Sequence, residues 1–258
     1  MTRSDFPAVP LLLVALTATG PAAATEPVTS PPAEDTLATG AGPIGVRPIQ
    51  HGTFVLEWEG RTIYVDPVGE AGAFRGSDPP DLILVTDIHG DHLSVETVQA
   101  IATPETTIVV PQAVIERFPE EERWRLTPLA NGASLSRHGI TIQAIPMYNL
   151  TPERADFHVK GRGNGYVIGL GGSRIYVSGD TEDIPEMRGL EGIDAAFVCM
   201  NLPYTMDVEA AADAVLEFRP RIVYPYHYRG RPEVSDIGRF RELVAANPAI
   251  EVRLLRWY

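Results

Sequence analysis

Four residues whose side chains commonly bind metal ions lie within six positions of one another, at Asp87, His89, Asp91 and His92. They directly follow the apolar run 82–85, Leu-Ile-Leu-Val, which is typical of a buried strand. Imidazole and carboxylate groups together suit zinc, manganese or iron. A polar loop that only caps a helix has no need of two histidines and two aspartates. This segment therefore predicts a metal site.

Two shorter motifs stand at the ends of later apolar runs, and each is weak alone. Asp180 lies in Ser-Gly-Asp-Thr at 178–181, where an aspartate can bridge two metal ions and Gly179 permits a close backbone approach. His227 lies in Tyr-Pro-Tyr-His at 224–227 and closes another apolar run. Because the motifs occur together and in this order, we predict that Asp180 and His227 join the same metal centre.

His158 stands in a glycine-rich, basic segment together with Lys160 and Arg162. In so acidic a chain, two cations beside a histidine indicate a grip on an anionic group of a substrate. His158 can instead complete the metal site, and a surface hairpin is the third interpretation. The sequence leaves these alternatives open.

Three further residues are candidates for the lining of a pocket. His51 begins a strand that is expected to run towards the metal site, so a role at its rim is predicted. Asn201 and Tyr204 follow the predicted strand 195–199, where they can line the pocket or donate to a developing oxyanion. The alternative for these two is a loop that only leads into the next helix.

These residues need rigid elements to hold them, and the apolar patterns predict a strand-rich chain with four helices. The predicted strands are 53–58, 61–65, 81–86, 107–110, 141–145, 166–170, 174–178, 195–199, 222–226 and 252–255. The predicted helices are 95–101 capped by Ser94, a short one after Gln112, 207–218, and a last one capped by Ser235 that runs through Ala246. Strands followed by strands mixed with helices fit a two-sheet sandwich flanked by helices.

The composition argues against several classes of partner. Among 258 residues, 34 are acidic and 21 are lysine or arginine, which gives a net charge of −13. This balance argues against nucleic acid, because phosphate binding needs clustered basic residues, and it weighs against docking on anionic lipid. The single cysteine, Cys199, cannot form an intramolecular disulfide, and its apolar surroundings predict a core thiol rather than a nucleophile.

The first 43 residues predict export. Arg3, the apolar run 8–18 and the three alanines at 22–24 indicate a signal peptide over 1–24 that is cleaved near Ala24, with a disordered leader as the alternative. The apolar run is too short for a stable membrane anchor. Residues 25–43 are predicted to be a flexible tether and residues 44–258 one domain, in a periplasmic or secreted protein.

The combined motifs resemble those of the metallo-β-lactamase superfamily, and within it the ascorbate-lactonase-like group of metal-dependent hydrolases. The segments that carry the resemblance are His-Gly-Thr-Phe at 51–54, Tyr-Val-Asp-Pro at 64–67, the motif at 86–92, Gly-Asp-Thr at 179–181 and Pro-Tyr-His at 225–227. The resemblance covers residues 44–258. It implies an α/β fold, an αββα sandwich of two mixed sheets flanked by helices, with one or two zinc ions at one edge.

The resemblance also implies roles for individual residues. The residues that match metal ligands are Asp91, His92 and His227 at the second position, His89 at the first, and Asp180 as the bridge between them. Asp66 matches a buried carboxylate that holds the metal loop in place.

Two departures from the family pattern concern the first metal position. Asp87 stands where the family motif opens with histidine, and residues 146–149 lack the family's third histidine. With Asp87 counted as a ligand, the position is expected to be harder and more anionic, which favours Mn²⁺, Fe or weaker zinc binding, or leaves it empty. The number of metal ions stays open.

The resemblance implies that metal-bound hydroxide hydrolyses an ester, lactone or phosphodiester bond of a small molecule. Asp180 or Asp87 can accept the proton, and His158, Asn201 and Tyr204 are further candidate catalytic residues. The alternatives are an iron-dependent oxidoreductase on the same fold and a degenerate, non-catalytic metal- or ligand-binding protein. Neither the substrate nor the oligomeric state follows from the sequence.

Overall fold

The computed structural model describes Met1 and residues 33–258. Most of the predicted signal peptide and the tether up to residue 32 therefore lie outside the described residues. Within 33–258, two seven-stranded sheets pack face to face and helices cover their outer faces. The prediction of an αββα sandwich is confirmed. No helix in 33–258 is long and apolar enough to cross a membrane.

The two sheets are both mixed. The first sheet contains, in spatial order, β1 (Asp35–Leu37), β2 (Ile44–Gln50), β3 (Thr53–Trp58), β4 (Arg61–Val65), β5 (Leu82–Leu84), β6 (Thr107–Val110) and β7 (Leu126–Pro128). The second contains, in chain order, β8 (Ser134–Arg137), β9 (Ile140–Met147), β10 (Gly163–Leu170), β11 (Ser173–Val177), β12 (Ala195–Cys199), β13 (Ile222–Tyr226) and β14 (Glu251–Val252). Neighbours pair in parallel from β4 to β7 and from β11 to β14. In each parallel half the carboxyl ends of the strands therefore lie along one edge.

Within residues 33–258, five α-helices flank the sheets. They are α1 (Val95–Ile101), α2 (Gln112–Ile115), α3 (Pro185–Arg188), α4 (Val208–Phe218) and α5 (Ile237–Val244). As predicted, Ser94 caps α1 by accepting a hydrogen bond from the backbone N–H of Thr97. The predicted last helix begins later, because Asp236 is its cap, while the Ser235 hydroxyl donates to the carbonyl of Met200.

The continuous apolar run of β5 has a direct structural reason. Leu82 and Leu84 face the core between the two sheets, whereas Ile83 faces α1 and α2 on the outside. Because both faces of β5 are covered by other layers, its side chains are apolar on both faces instead of alternating between apolar and polar. Phe54 of β3 and Phe197 of β12 stack across the core with ring centroids 4.3 Å apart, which fixes one sheet against the other.

The predicted tether is wrong for residues 35–37. They form β1, which pairs antiparallel with β2, and Leu37 is buried in the core. The Asp35 carboxylate accepts hydrogen bonds from the Tyr224 hydroxyl at 2.6 Å and from the Arg253 guanidinium at 2.9 Å. A three-residue strand with one apolar side chain shows no periodicity, so only these tertiary contacts define it. The ordered sheet thus begins before Ile44.

We expect Asp35→Ala to lower the free energy of unfolding by about 1–3 kcal/mol, because the buried hydroxyl of Tyr224 loses its acceptor and Arg253 loses a carboxylate. Urea denaturation followed by circular dichroism measures this change. Glu34→Ala is the control, since the exposed Glu34 lies 3.7 Å from Arg47 and should change stability by less than about 0.5 kcal/mol. Equal stability of the two variants would show that β1 does not belong to the folded unit.

Candidate metal centre

The predicted metal ligands come together at one edge of the sandwich. The loop after β5 carries residues 87–92, the loop after β11 carries Asp180, and the residue after β13 is His227. The first loop belongs to one sheet and the other two belong to the second sheet. The carboxyl ends of parallel strands therefore deliver side chains from both layers to a single place.

Three buried side chains form the centre of this cluster. The Nε2 atoms of His92 and His227 lie 3.0 Å apart, and their rings are stacked. The two oxygens of Asp180 lie 3.4 Å from His92 Nε2 and 3.5 Å from His227 Nε2. Asp91, half-exposed, adds an oxygen 3.4 Å from His227 Nε2. One donor atom each of His92, Asp180 and His227 lies within 4.8 Å of the others, a spacing that one metal ion can span.

A buried hydrogen-bond network holds His92 in this orientation. His92 Nδ1 lies 2.8 Å from Asp66 Oδ2, to which it donates. The Thr86 hydroxyl and backbone N–H both donate to the same carboxylate at 2.6 Å. With Nδ1 engaged, Nε2 is the ring nitrogen that faces the cluster. Asp66 thus holds the metal loop in place, as the resemblance implied.

Opposite charges in the cluster shift the pKa values of its members. Burial alone would lower the pKa of His92, but the carboxylates of Asp180 and Asp66 outweigh it and hold this pKa well above its usual range. Burial alone would raise the pKa of Asp180, but His227 and His92 hold it well below its usual range. Asp180 Oδ1 is buried and has no hydrogen-bond partner among the described residues. An ionised carboxylate with an open oxygen beside two imidazoles fits a cation.

Asp87 has a different environment from the one predicted. It is fully buried, and Arg162 binds it with two hydrogen bonds, from Nε to Oδ1 at 3.1 Å and from Nη2 to Oδ2 at 2.9 Å. His89 Nδ1 lies 2.8 Å from Asp87 Oδ2. Although burial raises the pKa of Asp87, hydrogen bonds from His89 and Arg162 lower it to about 2. The negative charge of Asp87, which was expected to make the first position anionic, is therefore paired with the guanidinium of Arg162.

His158 is buried and faces the cluster, which excludes the surface-hairpin interpretation. Its Nε2 lies 3.3 Å from Asp180 Oδ2, and its ring lies 5.2 Å from that of His89. Its Nδ1 lies 3.2 Å from the carbonyl oxygen of Tyr204. The donor atoms of Asp87, His89 and His158 also lie within 4.8 Å of one another.

His51 lies at the rim, as predicted. Its Nε2 lies 3.2 Å from Asp91 Oδ2, and its Nδ1 lies 2.7 Å from the hydroxyl of Tyr258. The neighbouring Gly52 is required by close packing, since a Cβ there would meet His227 Cδ2 at 3.0 Å. No motif could reveal Tyr258, the last residue of the sequence, as part of the site.

An open cavity of about 430 Å³ lies above the cluster. Asn201 and Tyr204 line it, as predicted, although the Asn201 side-chain oxygen accepts a hydrogen bond from the Thr205 hydroxyl. Sequence reasoning missed the lining residues Phe157, Arg229 and Arg231, which no pattern singles out.

Cys199 is a core thiol, as predicted. Its side chain is fully buried in the core between the sheets. Burial, together with the nearby Asp180 carboxylate, raises the pKa of the thiol to about 12. A thiol that stays protonated to so high a pH is not a nucleophile.

We expect Asp66→Asn to weaken metal binding about 10- to 100-fold, because the amide no longer offers carboxylate oxygens to both Thr86 and His92. Competition with a metallochromic chelator measures the dissociation constant. Asp81→Asn is the matched control, since Asp81 holds Arg61 and Thr62 at the opposite end of β5. An unchanged constant in Asp66→Asn would show that Asp66 does not orient His92.

Comparisons with known proteins agree with this geometry. The model of the "Beta-lactamase superfamily domain" matches residues 46–227. A UPF0173 metal-dependent hydrolase of Thermococcus onnurineus is 30% identical over 210 residues, which cover 78% of this chain and 92% of the relative. One of Thermus thermophilus is 29% identical and covers 83% of this chain and 96% of the relative. The solved structure of a protein of Parabacteroides distasonis, assigned as a metal-dependent hydrolase, is 35% identical with a TM-score of 0.76, covering 86% and 99% of the two chains.

The prediction of a secreted protein with a signal peptide is corrected. The match to the Thermus thermophilus relative accounts for 96% of that protein with 83% of this chain. Residues 2–32, on which the prediction depends, lie outside the described residues. Neither the relatives nor the described residues support export.

The match of the domain model covers more than half of the chain, and the relatives are covered almost completely. The two seven-stranded sheets are those of the metallo-β-lactamase fold. The chain therefore belongs to the beta-lactamase superfamily and, within it, to the UPF0173 family of metal-dependent hydrolases.

Proposed function

We propose that the chain hydrolyses an ester, lactone or phosphodiester bond of a small molecule with the help of a zinc ion held by His92, Asp180 and His227. The convergence of these three buried side chains supports the proposal. Two imidazoles and a carboxylate form a ligand set that zinc accepts in catalytic sites, where a further position stays open to water or substrate. The half-exposed carboxylate of Asp91 lies next to these ligands, 3.4 Å from His227 Nε2.

The residues around the cluster have separate roles in the proposed reaction. The ion, when bound, polarises the scissile group and makes water acidic enough to act as a nucleophile near neutral pH. Asp180 is the proposed proton acceptor, because it is ionised and faces both the cluster and His158. Asp87 is a poor acceptor, because Arg162 and His89 already occupy both of its oxygens.

The cavity walls indicate a substrate with an apolar part and a negative charge. The rings of Phe157 and Tyr204 meet edge to face, 5.3 Å apart, and form an apolar wall. Arg229 and Arg231 line the cavity, and within residues 33–258 neither of them forms a salt bridge with an acidic side chain. In a chain with a net charge of −13, two cations at the cavity favour an anionic ligand.

We expect His92→Ala and His227→Ala each to remove the metal ion and to lower kcat/KM by at least about 100-fold, because each deletes one of the buried ligands. Elemental analysis and assays with p-nitrophenyl esters, lactones and bis-p-nitrophenyl phosphate measure both quantities. His138→Ala is the control, since His138 lies in an exposed turn. Full activity in His227→Ala would contradict the site, and bound iron with oxygen uptake would favour the oxidoreductase instead.

We expect Arg231→Ala to raise KM about 10-fold for a p-nitrophenyl ester that ends in a carboxylate, because a charged hydrogen bond contributes about 1.5 kcal/mol or more. The KM for a neutral ester of the same length should stay the same. Arg241→Ala, an exposed arginine of α5 away from the cavity, is the control. Equal effects on the charged and the neutral ester would contradict an anionic substrate.

A further inference from the structure

Asp87 and Arg162 form a buried ion pair next to the proposed zinc ligands. The guanidinium binds the carboxylate through Nε and Nη2, the parallel geometry in which arginine holds carboxylates most firmly. Arg162 also donates to the carbonyl of Phe157, which fixes its side chain. A guanidinium keeps its charge in proteins. A positive charge therefore stands permanently against the only carboxylate of the group formed by Asp87, His89 and His158.

The ring of His89 lies between Asp87 and Arg162. Its Nδ1 lies 2.8 Å from Asp87 Oδ2, which only accepts hydrogen bonds, so this nitrogen carries the proton. Its Nε2, which carries the lone pair, lies 3.4 Å from Arg162 Nη2, whose two hydrogens are shared among Asp87 Oδ2, the Phe157 carbonyl and this nitrogen. A metal ion needs that lone pair. Arg162 therefore competes with a metal ion for both Asp87 and His89.

In the neighbouring cluster of His92, Asp180 and His227, by contrast, ligand atoms face one another and are open to a metal ion. His92 Nδ1 is bound to Asp66, which leaves Nε2 directed at His227 Nε2. Asp180 Oδ1 has no hydrogen-bond partner among the described residues, and within 33–258 no arginine or lysine forms a salt bridge with Asp180. The first of these clusters thus has Asp87 and His89 in contact with a cation of the chain, whereas His92, Asp180 and His227 are open to a metal ion.

We propose that the guanidinium of Arg162 takes the place of a first metal ion, so that the centre binds a single metal ion at His92, Asp180 and His227. Arg162 and Asp87 are then positioning residues, which orient His89 at the cavity wall. This inference rests on the proposed metal-dependent function of the same centre. It accounts for the aspartate at position 87.

The test counts metal ions instead of measuring turnover. Full-length protein is loaded with excess zinc, exchanged into metal-free buffer and analysed by mass spectrometry, and the metal-free protein is titrated with zinc in a calorimeter. One equivalent per chain in both measurements is expected for the wild type. Two equivalents would overturn the inference and leave the proposed function standing. No bound metal would overturn the proposed function and the inference with it.

The double variant Asp87→His/Arg162→Ala removes the ion pair and supplies an imidazole, so it is expected to bind two zinc ions per chain. Lys160→Ala is the matched control, since Lys160 lies two residues from Arg162 but pairs with Glu186 at 2.8 Å. This control should keep one equivalent. A folded double variant that still binds a single zinc ion would show that Arg162 does not exclude the second ion.

Discussion

The hydrogen bond from His92 Nδ1 to the buried Asp66 carboxylate is the constraint on which the metal centre depends. Both residues are fully buried, so an unpaired charge on either one would be strongly destabilising. Thr86 uses its hydroxyl and its backbone N–H to satisfy the same carboxylate, which links the end of β4 to the loop after β5. This network fixes the orientation and the ring plane of His92 before any ion binds. Asp180 and His227 can share a metal ion with His92 only because this hydrogen bond holds the His92 ring in place.

The packing of the two sheets then sets the distances between ligands. His92 comes from the first sheet, whereas Asp180 and His227 come from the second, and the stacked pair Phe54 and Phe197 locks the sheets together. Asp66 and His227 have positive φ angles of 44° and 46°, an unfavourable backbone region for such residues. Strain of about 1–3 kcal/mol per residue persists only where the surroundings enforce it, and such positions concentrate at functional sites. The site is thus held by the whole sandwich rather than by one loop.

Features with a local signature were predictable from the sequence, and features that depend on distant contacts were not. β3, β4, β6, β12 and β13 have the predicted bounds, because continuous or alternating apolar runs mark strands covered by other layers. The motif at 86–92, Asp180 and His227 could be found because each follows such a strand. The pairing of Asp87 with Arg162 spans 75 positions and has no spacing rule, so the first position was expected to be anionic. β1 and Tyr258 likewise depend on contacts with residues far along the chain.

One metal ion is expected between His92, Asp180 and His227. The most direct measurement is an anomalous difference map from crystals grown with zinc, with data collected on both sides of the zinc absorption edge. One peak is expected about 2.0–2.2 Å from the Nε2 atoms of His92 and His227 and from an Asp180 oxygen. Arg162 is expected to stay bound to Asp87 in the same map. A peak between Asp87 and His89, or none beside His92 and His227, would contradict this prediction.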